Sequence, residues 1–149
     1  MVKKSSLMSL FILLIILASC GSNQETVTYY LDNDPLLEKV TITAEDNKII
    51  EHTIKNTINY EAAGYESKEE AQESINVPDM GNLQGIDGIE TTATFEDDEF
   101  VYGIKYDLAV IDPSEVSDDL QEFLEEEEYW DFEIQVQELE DLGFEKKEE

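Results

Sequence analysis

Cysteine and histidine each occur once in these 149 residues, and arginine does not occur. A lone thiol excludes a disulfide within the chain. A lone imidazole, His52, lacks the companion ligands of a metal centre and the nucleophile of a catalytic triad. The sequence also has no Gly-rich phosphate loop, no Gly-x-Ser-x-Gly elbow and no His-Glu-x-x-His pair. No enzyme activity and no cofactor are expected. Positive charge is scarce as well: beyond residue 19 there are seven lysines against 37 acidic residues, a formal charge of about −30. Nucleic-acid binding draws its affinity from lysine and arginine displacing counterions, so no nucleic-acid partner is expected. Unaided electrostatic adhesion to an anionic membrane is disfavoured for the same reason.

The N-terminal residues carry the clearest motif. Met1 to Ser6 is short and basic, and Leu7 to Leu17 is a nearly unbroken apolar run. That run is shorter than the ~20 residues of a comfortable membrane span and fits a secretory signal peptide. Leu17-Ala18-Ser19-Cys20 follows: an aliphatic residue, two small ones and a thiol, the order that lipoprotein signal peptidase requires. Cleavage between Ser19 and Cys20, with lipid on the Cys20 sulfur, is the expectation. The alternatives are an ordinary signal peptide with a coincidental cysteine, or a retained single-span anchor. They are disfavoured because the only cysteine stands where the motif needs it. Two acyl chains suffice for stable anchoring.

The expected organisation is a signal peptide over 1–19, a lipidated cysteine and flexible tether over 20–25, and a single acidic domain over 26–149. Acidity alone is compatible with disorder, but seven tyrosines, six phenylalanines, a tryptophan and alternating segments argue for a packed core. Thr26 to Leu31 reads as a strand, Asp32 to Pro35 as a turn and Leu37 to Ala44 as a second strand. Lys48 to Tyr60 is a third, with Ile50, His52, Ile54 and Ile58 on its apolar face. Ser67-Lys68-Glu69-Glu70 is a capping box that opens a helix carrying Ala71 and Ile75 inward, ended or restarted by Pro78. Met80 to Gly88 reads as a loop with a short helical piece. Ile89 to Phe95 and Phe100 to Leu108 alternate about an acidic turn as a hairpin. Asp112-Pro113 starts a helix presenting Val116, Leu120, Phe123 and Leu124 on one face. A last helix spans about Asp131 to Leu142, stopped by Gly143, with Lys146 and Lys147 favourable to its dipole. The order β-β-β-α-β-β-α-α implies an α+β fold: an antiparallel sheet of about five strands with helices packed on one face.

The lipobox, the strand pattern, the Ser67-Lys68-Glu69-Glu70-Ala71 helix start, Gly85-Ile86-Asp87-Gly88-Ile89 leading into Thr92-Ala93-Thr94-Phe95, and the closing Leu139-Glu140-Asp141-Leu142-Gly143-Phe144 together resemble the YehR-like lipoproteins of bacteria. The resemblance covers most of the chain and implies fold and location without carrying a catalytic residue. Pro78 and the acidic run Glu125 to Glu128 depart from the family pattern.

Three constellations remain. Asp97-Asp98-Glu99 and Glu125 to Glu128 offer hard oxygens suited to divalent cations, but neither has the spacing of a calcium loop, so a solvated face is expected. Tyr29, Tyr30, Tyr102, Tyr106, Tyr129 and Trp130 supply ligand-groove chemistry, although aromatics at such positions more often form core. The resulting expectation is a lipid-anchored, extracytoplasmic, non-enzymatic domain that contacts another envelope component. A small-ligand or divalent-cation-binding lipoprotein is the alternative. Gly21-Ser22 and the acidic domain favour a Gram-positive cell surface over a Gram-negative envelope.

Overall fold

The computed structural model describes residues 23–147; the expected signal peptide, with Ser19, and the expected lipidation site Cys20 lie outside them. Strand β1 (Gln24–Asn33) turns at Asp34-Pro35 into β2 (Leu36–Glu45), and β2 turns at Asp46-Asn47 into β3 (Lys48–Asn59). Asp46 and Asn47 both have positive φ, 49° and 68°. That is the pattern of a two-residue hairpin turn whose twist matches its strands, and Asp and Asn tolerate it better than other side chains. Helix α1 (Lys68–Ser74), a 3₁₀ turn over Gly81–Leu83, β4 (Ile89–Phe95) and β5 (Glu99–Asp107) follow. A 3₁₀ turn over Pro113–Glu115, α2 (Asp118–Leu124), α3 (Phe132–Asp141) and β6 (Glu145–Lys146) complete the chain.

The strands form one antiparallel sheet in the order β4-β5-β3-β2-β1-β6. Register assigns each side chain to a face. Val27 and Tyr29, Val40, Ile42 and Ala44, His52, and Tyr106 share the face on which the helices lie. Burying such side chains contributes ~1.5 to 3 kcal/mol apiece. Trp130, Phe132, Leu120 and Leu139 close this core from the helix side. At the other end of the same face, Ala71 of α1 packs with Tyr60 and Phe100 in a second cluster. Among the described residues no helix packs on the opposite face, although Thr28, Thr43 and Val101 on it are buried. There Thr26 and Thr28 pair with Thr43 and Thr41, their hydroxyls 3.0 and 3.2 Å apart, and Tyr30 pairs with Lys39.

Local chemistry explains the helix ends. Ser67 accepts from the Glu70 amide at 3.2 Å while a Glu70 carboxylate oxygen accepts from the Glu66 amide at 2.7 Å, so the predicted reciprocal box forms one residue displaced on its return arm. Asp131 caps α3 by accepting from the Ile134 amide at 3.0 Å.

Several expectations need correction. The helix expected to run on from Asp112 is split: Asp112 caps only the 3₁₀ turn, Val116 is extended, and Ser117 caps α2 anew. Two competing N-cap signals lie five residues apart, and the second lies closer to the apolar residues the core takes. In β3 the buried isoleucine is Ile49, fully enclosed, with Ile50 half-buried. The register shifts between Thr43 and Ala44, whose partners are Glu51 and Ile49, and this extra residue reverses the alternation at the strand's start. Helix α1 ends at Ser74, ahead of Pro78, because Ile75 turns extended toward the second cluster. A sixth strand joins the sheet: Gly143, at φ 90°, reverses the chain so that Glu145 and Lys146 pair with Tyr30 and Tyr29. Lys146 and Lys147 therefore serve β1 rather than the dipole of α3, with the Lys147 ammonium 4.5 Å from the Tyr30 ring centroid. Pairing of β1 begins at Gln24, and Asn23 already accepts from the Asp46 amide at 3.2 Å, inside the segment read as tether.

Candidate functional site

Where β2 turns into β3, beside the point at which the chain enters the domain, the surface opens into a groove of about 920 Å³. Ile49 and Trp130 form its buried floor, and Ile50, Leu108, Ile111 and Leu124 form its apolar walls. Asp46, Glu125, Glu127 and Asp131 stand on its rim, where Lys48 is the one cation among the lining residues. The rim is held by paired hydrogen bonds. The Asn47 amide group donates to Asp131 at 3.0 Å, the Asn47 side-chain oxygen accepts from the Glu133 amide at 3.1 Å, and the Phe132 amide donates to the Asn47 carbonyl at 2.9 Å. A turn and a helix start, distant in sequence, are thereby fixed as one wall. The Ile49 amide donates to the Trp130 carbonyl at 2.9 Å and ties down the floor.

Behind this floor lies an aromatic box. His52 is 2 % exposed and meets Tyr129 and Trp130 edge-on, at 5.7 and 6.0 Å between ring centroids. Its Nδ1 has no hydrogen-bond partner, and burial pushes its pKa down to about 4. Burial, aided by Tyr106, Glu138 and Glu126, pushes the Tyr129 hydroxyl up to about 12. These groups are neutral at pH 7, and their assembly is a packed apolar support for the groove with no proton to exchange there.

The residues singled out from sequence are scattered by the fold. Tyr29 is core, its hydroxyl donating to Glu140 at 3.0 Å; Tyr30 lies on the face opposite the helices; Tyr102 joins the second cluster. Only Tyr106, Tyr129 and Trp130 gather, around His52 and Phe123. Glu96, Asp97, Asp98 and Glu99 rim a smaller groove on the opposite face of the sheet, about 770 Å³, lined by Thr53, Thr92 and Gly103. Among the described residues no three His, Cys, Asp or Glu side chains are gathered to hold a metal ion. The groove lining of Ile49, Leu108, Ile111 and Leu124 comes from three chain segments, and no local signal marks it as a surface rather than core.

Among the described residues no helix is long and apolar enough to cross a membrane. Residues 25–146 match the family described as protein of unknown function DUF1307. The chain is 29 % identical over 115 residues to the uncharacterized lipoprotein Lmo0207 of Listeria monocytogenes, covering 77 % of this chain and 74 % of that one. It is 26 % identical over 109 residues to the uncharacterized lipoprotein Lin0239 of Listeria innocua, covering 73 % and 71 %. In structure it is similar to the YehR protein of E. coli, with a TM-score of 0.60 and 16 % identity over 85 % of this chain and 92 % of that one. A protein of Streptococcus pneumoniae TIGR4 gives 0.54 at 16 % identity, covering 99 % and 98 %.

Proposed function

Because this chain belongs to the DUF1307 family, the YehR-like lipoproteins, we propose that it is a lipid-anchored, extracytoplasmic and non-enzymatic domain that holds a partner at the envelope. Cys20 carries the lipid after cleavage behind Ser19, and the groove between the β2–β3 turn and α3 receives the partner. The observation that carries this reading is the composition of that groove: an apolar floor inside an acidic rim, next to the residue at which the chain enters the domain. A surface of that kind selects a basic, amphipathic segment, its apolar side seated against the half-buried Ile50, Leu108 and Leu124 and its cations among Asp46, Glu125, Glu127 and Asp131.

Mass spectrometry of the membrane fraction tests the address. The wild type is expected to carry an acylated N-terminal Cys20, and Cys20→Ala to be unlipidated; an unlipidated, soluble wild type would overturn it. A synthetic amphipathic lysine–leucine peptide tests the groove. Its binding is expected to survive salt that screens surface charge, and to be lost in Ala109→Arg, which places a bulky cation at the groove's exposed lining without touching the core. Unchanged binding in that variant places the contact elsewhere.

A further inference from the structure

The two edges of the sheet are finished differently. On β1, strand β6 pairs with Tyr29 and Tyr30, and the Lys147 amide donates to the Thr28 carbonyl at 3.1 Å. Covering an edge and placing lysine along it are two ways in which proteins keep a sheet from recruiting another strand. On β4 neither is present: among the described residues no strand pairs with its outer side, and Ile89 to Phe95 holds no lysine and no proline. The ladder decides which of its backbone groups are left over. The Glu96 amide donates to the Glu99 carbonyl at 2.8 Å and the Asp107 amide to the Gly88 carbonyl at 2.7 Å, so the even-numbered residues between Gly88 and Glu96 exchange their bonds with β5. The odd-numbered ones point outward. The Ile89 amide donates to the Ile86 carbonyl at 3.1 Å, whereas the amides and carbonyls of Thr91, Ala93 and Phe95 have no partner among the described residues.

The surroundings of this edge restrict what it takes. Val77 to Gln84 runs past β4 without pairing with it, and a groove of about 520 Å³ lies between them, lined by Val77, Pro78 and Met80 and by Thr91 to Thr94. Val77, Thr92, Ala93 and Thr94 are exposed, and Leu83 packs against the helix-side core, which sets this groove on that side of the sheet. On the other side Glu90, Thr92 and Thr94 line the groove of about 770 Å³ with the acidic turn. Together the two grooves set six acids, Asp79, Glu90 and the four residues from Glu96 to Glu99, against Lys55 and Lys105, and Lys105 bridges Glu51 at 2.9 Å. A second copy fits poorly. Antiparallel self-pairing that uses all three outward residues centres on Ala93, sets Glu90 directly opposite Glu96 and joins two domains of about −30. We propose that the β4 edge takes an extended basic segment of another protein as an added antiparallel strand. Its main chain bonds to Thr91, Ala93 and Phe95, its lysines or arginines stand opposite Glu90 and Glu96, and its alternate apolar side chains lie over Val77, Pro78 and Met80. Backbone bonds supply the hold, and the alternation of charge selects the partner. This site is separate from the groove beside the β2–β3 turn and does not rest on it.

The test mixes the full chain, isotopically labelled and held in zwitterionic detergent, with an end-capped peptide of about seven residues that alternates lysine and valine. Amide hydrogen exchange is read residue by residue. With the peptide about 100-fold above its Kd, exchange at Thr91, Ala93 and Phe95 is expected to slow by about a hundredfold. In an antiparallel addition the valine amides are the ones that face β4. The same peptide N-methylated at its valines keeps its charges and loses those donors, and the slowing is expected to vanish. Ala93→Pro is expected to abolish it as well, with an unchanged circular dichroism spectrum, because the amide it removes points away from β5. The N-methylated peptide leaves the protein untouched, so that comparison stands whether or not Ala93→Pro folds. A peptide that does not bind, unchanged exchange at the three amides, or equal slowing by the N-methylated peptide overturns the proposal. Slowing confined to the amides around Ala109 overturns it too, while leaving the groove beside the β2–β3 turn as the peptide's site. Slowing at Thr91, Ala93 and Phe95 that grows with protein concentration in the absence of peptide overturns it by showing that a second copy covers the edge.

Discussion

The Trp130 indole N–H donates to the Phe123 carbonyl at 3.1 Å, so one side chain fills the core and also satisfies a backbone acceptor at the C-terminal end of α2. Helices leave their last carbonyls short of intrahelical partners, and this one accepts both from the Glu126 amide at 3.2 Å and from the indole in the floor of the groove. Trp130→Phe keeps most of the apolar area and loses the bond, for an expected cost of about 1 to 2 kcal/mol; Trp130→Ala is expected to cost about 3 to 5 kcal/mol. Urea denaturation followed by circular dichroism reads both, as a lower midpoint at unchanged slope. A Trp130→Phe variant as stable as the wild type would show that the bond contributes nothing.

His52 sets an acid limit on stability. The fold holds its imidazole neutral, with a pKa near 4 against an ordinary 6.5, so the unfolded chain binds the extra proton between those values. Stability from this residue is full above pH 6.5 and is lost as pH falls toward 4, by an expected amount of about 3 kcal/mol. His52→Phe retains an edge-on ring and removes the ionisation. Unfolding free energies at pH 7 and 4.5 should therefore diverge between wild type and His52→Phe. Parallel values would refute a neutral, enclosed histidine.

Asp131 and Asn47 are expected to act as a unit. Asp131→Ala removes both the α3 cap and the bond from Asn47, at an expected cost of about 1 to 2 kcal/mol. Asn47→Gly keeps the positive φ available while deleting the links to Asp131 and the Glu133 amide. A double-mutant cycle should return a coupling of about 0.5 kcal/mol or more. Strict additivity would mean that the turn and the helix are held independently.

Gly103 of β5 lies directly against the backbone of β3. A Cβ there would fall onto the carbonyl oxygen of Ile54 and press on the backbone of Lys55. Gly103→Ala forces apart two central strands and is expected to destabilise by several times the ~1 kcal/mol of an ordinary interior glycine substitution, detected as a thermal midpoint depressed by well over 5 °C. A midpoint within a few degrees of wild type would show that the pair relaxes without cost.

Wherever hydrophobic period and turn chemistry agreed, the fold was legible in the residues. The alternation of β2, β4 and β5, the Ser67 cap, the start of the last helix near Asp131 and the Gly143 stop all occur where sequence places them. Legibility failed at Ile49, where a one-residue bulge reverses a face, and at Val116, where a second cap displaces the first. It failed again at Glu145–Lys146, because a two-residue strand has no period to read and exists only because β1 offers an unpaired edge.

The sequence by itself determined the composition that excludes nucleic acid, the lipobox that implies an address, and the α+β order of elements. Each is a local property, carried by neighbouring residues or by sums over the chain. Only the tertiary structure decided that Ile49, Leu108, Ile111 and Leu124 line one groove beneath an acidic rim, and that Lys39, Lys55 and Lys105 share one face of a sheet. Both depend on register and strand order, which bring together residues far apart in sequence, and no pattern within a single segment encodes that meeting.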